Sequence, residues 1–378
     1  MPDVLIHGDT IRSPEARHEV PVAIPDPILY VERNGERHAV VGSFEVPRVQ
    51  ALGGVVTPHA PEEFGYDEFL AEGMRRDEAF NLVWVRAAQE LGVREAIVPP
   101  TFGIELADSL RAEGIEVSAD REFFVARRRA KNEAELAGIR RAQAAAEAGM
   151  RAGVELLRRA EIRGDAVLLD GEPLTCERLK ADVEAAFAAH ECTAEEFIVS
   201  HGAQTAVGHD MGSGPIAPNE PIVFDLFPRD RESGCYADMT RTFVVGTPSD
   251  ELREYHRLVK DALDRSLAAT RPGATGDELM RLVCDLFHEH GHKTPIHKEQ
   301  GEVLADGFFH SLGHGVGLEV HEAPSLGRNG EALVPGDVVT LEPGLYRSGY
   351  GGVRLEDLVL VTDDGYENLT DFPYDLEP

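Results

Sequence analysis

The chain has 378 residues, 37 Lys+Arg against 68 Asp+Glu, and a formal net charge of −31. Its length permits two or three domains with sizeable cores, and its 42% hydrophobic fraction is that of a folded protein. Such an acidic surface repels phosphate backbones and anionic bilayers, so nucleic-acid and lipid-surface readings are excluded first, and most of the carboxylates read as solvated surface.

Met1 to His7 lacks a basic start and a long apolar core, so no secretory signal is expected. No run approaches the ~18 apolar residues that a membrane span needs. Short β-like runs at His38–Gly42 and Glu95–Pro99 alternate with helical stretches at Phe80–Leu91 and Phe102–Gly114. That alternation predicts a small α/β domain, and no catalytic cluster is visible in it. Arg127-Arg128-Arg129-Ala130-Lys131 is a basic run in an acidic chain, read as a charge patch at a domain junction. From Glu133 to Arg159, Leu136, Ile139, Ala142, Ala146, Met150, Val154 and Leu157 form one helical stripe. A second helix runs from Thr175, its N-cap, to Ala189. Cys176, Cys192, Cys235 and Cys284 are scattered, without paired spacing, which predicts free thiols and a cytoplasmic setting. Beyond residue 195, strand-like runs at 221–226, 241–245, 337–342 and 352–361 surround a helical interlude near 250–290. The expectation is an α+β region of antiparallel strands covered by helices.

Several acids interrupt these apolar runs. Asp225 follows Ile222-Val223-Phe224, Glu342 ends Val338–Leu341, Glu356 follows Leu355, and Asp238 precedes Met239. A carboxylate in a buried strand must be paired, protonated or metal-bound, and four of them predict one shared cation site. Histidine supplies a further ligand type in Phe309-His310-Ser311-Leu312-Gly313-His314-Gly315-Val316-Gly317-Leu318-Glu319-Val320-His321-Glu322. His310 and His314 have the spacing of a zinc-binding helix, but three glycines would each destabilise a helix by about 1 kcal/mol. A tight loop leading into a strand fits better. Two Asp, two Glu and one His suit Mn²⁺, Co²⁺, Fe²⁺ or Zn²⁺, and four carboxylates balance two divalent ions. Paired ions roughly 3.5–4 Å apart activate water and polarise a carbonyl, which is hydrolytic chemistry. A non-catalytic Ca²⁺ or Mg²⁺ site is the alternative, and the histidines disfavour it.

His310–Glu322, Glu342-Pro343-Gly344-Leu345-Tyr346 and Gly352-Val353-Arg354-Leu355-Glu356-Asp357 resemble the signature blocks of the prolidase and aminopeptidase P branch of the pita-bread metallopeptidases. That superfamily also holds methionine aminopeptidase and creatinase. The resemblance covers roughly residues 130–378, and for residues 1–125 it rests on layout alone. It implies a catalytic pita-bread domain over 128–378, preceded by a smaller α/β creatinase-type domain over 1–127. It implies Asp225, Asp238, His314, Glu342 and Glu356 as ligands of two divalent ions, with manganese first and Co, Zn or Fe as alternatives. It also implies His209, His310, His321 and Arg354 as substrate-binding residues, and Glu342, His321 and His209 as the catalytic set. His201 competes with His209 for its place. The implied activity is cleavage of Xaa-Pro bonds in dipeptides or short peptides. Aminopeptidase P action on longer peptides is the alternative, and a silent binding protein a further one. A homodimer is the family expectation. Two departures stand out: Asp225-Leu226-Phe227 replaces the family's D-x-G, and the 13-position step to Asp238 implies a hairpin two residues longer, holding Arg229–Glu232.

Overall fold

The computed structural model describes residues 2–378. The chain divides into two compact units. One ends at Arg128 and includes Glu232–Gly234, and the other comprises Arg129–Arg231 and Cys235–Pro378. Among the described residues no helix is long and apolar enough to cross a membrane.

The first unit is built on a six-stranded mixed sheet, in the order Thr57–His59, Glu36–Val40, Ile28–Arg33, Asp3–Gly8, Glu95–Val98, Glu116–Ala119. Side chains alternate across a strand, so Leu5, Leu29 and Val31 face one way and Val4, Ile6 and Tyr30 the other. The first set packs with Val83, Trp84 and Leu106, and the second with Ala16, Val20 and Phe124. Both faces are therefore covered. The helix expected over Phe80–Leu91 spans Arg76–Glu90, and that expected from Phe102 spans Ile104–Ala112. Arg127, in the basic run, closes this unit with ion pairs to Glu19 at 2.9 Å and Glu32 at 2.6 Å.

The second unit opens with Glu133–Arg159, a 27-residue helix. Asn132 accepts from the Glu135 amide while Glu135 accepts from that of Asn132, satisfying two orphan donors reciprocally. Its stripe packs on the three-stranded sheet Ile198–His201, Pro221–Leu226, Met239–Val244, beside the helix Cys176–Ala189 that Thr175 caps. A five-stranded sheet runs Glu322–Ser325, His314–Gly315, Val338–Leu341, Asp357–Val361, Tyr366–Asn368. The helices Asp250–Ala269 and Gly276–Glu289 bury their apolar faces against it. Arg129 pairs bidentately with the fully buried Asp337 at 2.9 and 2.6 Å, so part of the basic run is internal to this unit. The four cysteines are free and buried.

Two local expectations are corrected, and a third is extended. The run 352–361 is two strands, Gly351–Arg354 and Asp357–Val361, because their partners differ: the first pairs with Gly344–Arg347, the second with Val338–Leu341. Of the four acids, only Asp225 lies within a strand; Asp238, Glu342 and Glu356 sit at strand ends, where a side chain can leave the ladder. The segment 229–232 lies in the expected hairpin, where Arg229 bridges Tyr236 and the Asp230 amide donates to the Cys235 carbonyl at 2.8 Å, and it makes further contacts on its outer side. Arg229–Asp230 pairs with Cys192–Thr193, and buried Asp230 is held by Arg141 at 3.0 and 2.8 Å.

Candidate metal centre and substrate cavity

Strand register assembles the centre. Ile198 is opposite Asp225, Asp225 is opposite Thr240, and Thr240 bridges Glu356. One row across the strands thus brings two carboxylates to the same level. Asp238 lies two residues before Thr240, on the same side. The loop before His314 is clamped by backbone bonds: Leu312 donates to Leu326, and Glu342 donates to Leu312 at 2.7 Å. That bond ties Glu342 to the histidine loop. Gly313 and Gly315 permit it, since a Cβ there would lie 2.1 Å from the Thr340 carbonyl oxygen and 2.2 Å from that of Ala323.

These elements enclose a cavity of about 760 Å³. Asp225, Asp238, His314, Glu342, Glu356, His209, His310, His321 and Arg354 all line it. His201 does not; its ring lies between Glu220 Oε1 at 2.6 Å and the Ser213 carbonyl at 3.1 Å. The ligating atoms of Asp238, His314 and Glu356 lie within 4.8 Å of one another. His314 Nδ1 donates to the Gly315 carbonyl at 3.2 Å, which leaves Nε2 as a lone pair. That nitrogen lies 3.8 Å from Asp238 Oδ2 and 3.7 Å from Glu342 Oε1, beyond hydrogen-bond length.

The electrostatics point to missing positive charge. Burial and mutual repulsion with Glu356, Asp225 and Glu342 hold the Asp238 carboxyl well above its usual range. Burial and the Glu356 charge do the same to Glu342, and burial with the Asp225 charge pushes Glu356 up to about 8. Asp238 Oδ1 is buried with no hydrogen-bond partner. Burial lowers His314 to about 4, favouring the neutral imidazole that ligates metals. An unsatisfied carboxylate oxygen, a free imidazole lone pair and crowded acids fit divalent cations.

Arg354, expected to bind substrate, instead supports the site's own residues, and the partners it works through were missed from the sequence. Arg354 donates to Asp225 Oδ2 at 2.6 Å and to the Tyr346 hydroxyl at 3.0 Å. Tyr346 reaches His310 Nε2 at 2.8 Å, and His310 Nδ1 donates to the Ser311 carbonyl at 2.7 Å. Both His310 nitrogens are thereby used, and burial holds the ring neutral, down to about 3. Phe308 meets that ring edge-on at 4.8 Å, so it serves as wall. Thr240 Oγ1 donates to Glu356 Oε2 at 2.7 Å. Phe227, Phe309, Met211 and Val320 supply the apolar lining. Tyr346 stood inside a recognised block, and its hydroxyl in an apolar run was the available signal.

The model of the metallopeptidase family M24 matches residues 137–363. An Xaa-Pro dipeptidase of Pyrococcus furiosus is 37% identical over 182 residues, 48% of either chain. The chain spans about half the length of the curated relatives it matches. The solved Xaa-Pro dipeptidase of Bacillus anthracis superposes with TM-score 0.77 at 25% identity, covering 100% of this chain and 94% of that one. The X-Pro aminopeptidase of Thermotoga maritima gives 0.76 at 22%, covering 99% and 97%. The fold is the two-domain pita-bread architecture of prolidases.

Proposed function

The chain belongs to the metallopeptidase family M24, and from that premise we propose that it is an Xaa-Pro dipeptidase acting on short proline-containing peptides. The observation that carries this is one cavity in which five potential metal ligands face three histidines and an aromatic wall. Asp225, Asp238, His314, Glu342 and Glu356 would hold two divalent ions. Hard oxygen donors with one imidazole favour manganese, with cobalt, zinc or iron as alternatives. When bound, such ions supply Lewis acidity toward the peptide carbonyl and an activated water.

The remaining chemistry belongs to side chains. Glu342 accepts the proton of the attacking water as general base. His321 and His209 donate hydrogen bonds to the scissile amide and to the oxyanion that develops. Arg354 orients Asp225 and, through Tyr346, the His310 ring, against which proline's ring packs. The buried acids support catalysis over silent binding, since crowded carboxyls are costly to keep without a cation. Four free thiols support a cytoplasmic setting, and a homodimer is part of the reading.

The decisive experiment is a panel of Ala-Pro, Met-Pro and Ala-Pro-Ala after exchange into Mn²⁺, Co²⁺ or Zn²⁺. Dipeptide turnover is expected, with the tripeptide cleaved more slowly. Preference for the tripeptide would make the protein an aminopeptidase P, and no turnover with any metal would sink the peptidase reading.

A further inference from the structure

The unit ending at Arg128 contains a second cavity, of about 500 Å³, to which peptide hydrolysis gives no role. That volume is within the usual range for small-ligand sites. Its floor is aromatic. Phe80 and Trp84 stack with ring centroids 5.4 Å apart and planes 28° apart, and the His7 ring tilts against Trp84 at 5.6 Å. His7 Nε2 is buried without a hydrogen-bond partner. A buried polar nitrogen left unmatched costs stability unless a ligand or water meets it.

Both charge signs stand in the wall. Asp77 is engaged by Arg75 at 3.0 Å. The Arg76 guanidinium lies 5.5 Å over the Phe80 ring, and neither it nor Asp26 has an ion-pair partner among the described residues. An unpaired guanidinium and an unpaired carboxylate beside one apolar shelf select against ligands of a single sign.

We propose that this cavity binds a free amino acid in its zwitterionic form, with an apolar side chain. Arg76 meets the carboxylate, and Asp26 meets the ammonium group. The Phe80–Trp84 shelf takes the side chain, where rings and branched chains bury area against aromatic faces. The site is independent of the metal centre in residues and in chemistry.

Trp84 is the chain's single tryptophan, so its emission reports on this cavity and not on the metal centre. The full-length, metal-loaded protein is titrated with L-leucine, L-proline and L-phenylalanine, then with N-acetyl-L-leucine and L-leucinamide. Saturable emission changes are expected with the three amino acids, and midpoints are unchanged when the titration is repeated with a chelator. Each derivative lacks one charge-assisted contact and should bind about tenfold more weakly, or worse. Arg76→Ala should weaken leucine by a similar factor and leave leucinamide unaffected; Asp26→Ala should do the same with respect to N-acetyl-leucine. Both side chains are exposed, and circular dichroism checks that the variants remain folded. Absence of saturation with all three amino acids, or equal midpoints for leucine and both derivatives, would overturn the proposal.

Discussion

Arg241 offers the most stringent test of how the metal centre is held. Its guanidinium is fully buried, paired at 2.9 Å with Asp357, itself wholly inaccessible. All five of its N–H donors are used. Nε donates to the Pro373 carbonyl, Nη1 to those of Thr240 and Glu356, and Nη2 to Asp357 and the Phe372 carbonyl. The Tyr374 ring lies 4.3 Å away. One side chain therefore fastens the C-terminal segment to the two backbone positions flanking the centre. Arg241→Met leaves Asp357 as a buried charge without its cation, a change that costs about 3–5 kcal/mol. For a unit of this size, that lowers Tm by roughly 6–20 °C. Arg241→Lys keeps the charge and surrenders most of the donors, so its loss should be smaller. Scanning calorimetry of both variants, metal-loaded, gives the comparison. A methionine variant within about 1 kcal/mol of the parent, or a lysine variant no better than methionine, would refute the reasoning.

Glu342→Gln should reduce kcat about 10²-fold or more with Tm little changed, because a general base is lost and an isosteric group remains; undiminished turnover removes Glu342 from the mechanism. Tyr346→Phe severs the link between Arg354 and His310 and should cost about 1–3 kcal/mol of transition-state stabilisation, read as kcat/KM on Ala-Pro. Chelation should lower Tm of the metal unit, and added Mn²⁺ should restore it, since ions bind only the folded ligand set; an unmoved Tm would argue against a metal in this cavity. Burial pushes His7 down from its usual 6.5 to about 4. The unfolded chain then takes up this proton first on acidification, so the stability it contributes is present above pH 6.5 and is lost as pH falls toward 4. The loss is at most about 3 kcal/mol. His7→Phe should flatten urea-midpoint profiles over that window, and parallel profiles would exclude His7 as the cause.

Local pattern carried much of this chain. The 27-residue helix was legible because its apolar stripe keeps helical spacing throughout, and the acid-bearing positions because carboxylates interrupt apolar runs. What escaped were pairings between distant segments. Nothing local at Leu355-Glu356 says that the strand changes partner there, yet that break frees Glu356 to meet Thr240. Arg241 interrupts a buried strand just as Asp225 does, and the same reasoning applied to cations would have found it; its five acceptors, reaching as far as 132 positions along the chain, are a property of the fold. The second cavity was invisible because His7, Asp26 and Arg76 come from three separate segments and no motif joins them.

The clamp on the histidine loop also bears on how this protein could be redesigned. Gly313 lines the cavity and Gly315 does not, but both lie against backbone that cannot retreat. In a saturation library these positions should tolerate as little as the ligands do, with failure read as lost folded protein rather than lost turnover. Altered selectivity must therefore come from other walls, such as Phe227, Met211 and Val320, where side chains face the cavity. The segment that made the chain recognisable is half reagent and half hinge pin, and only the lining around it is open to an engineer.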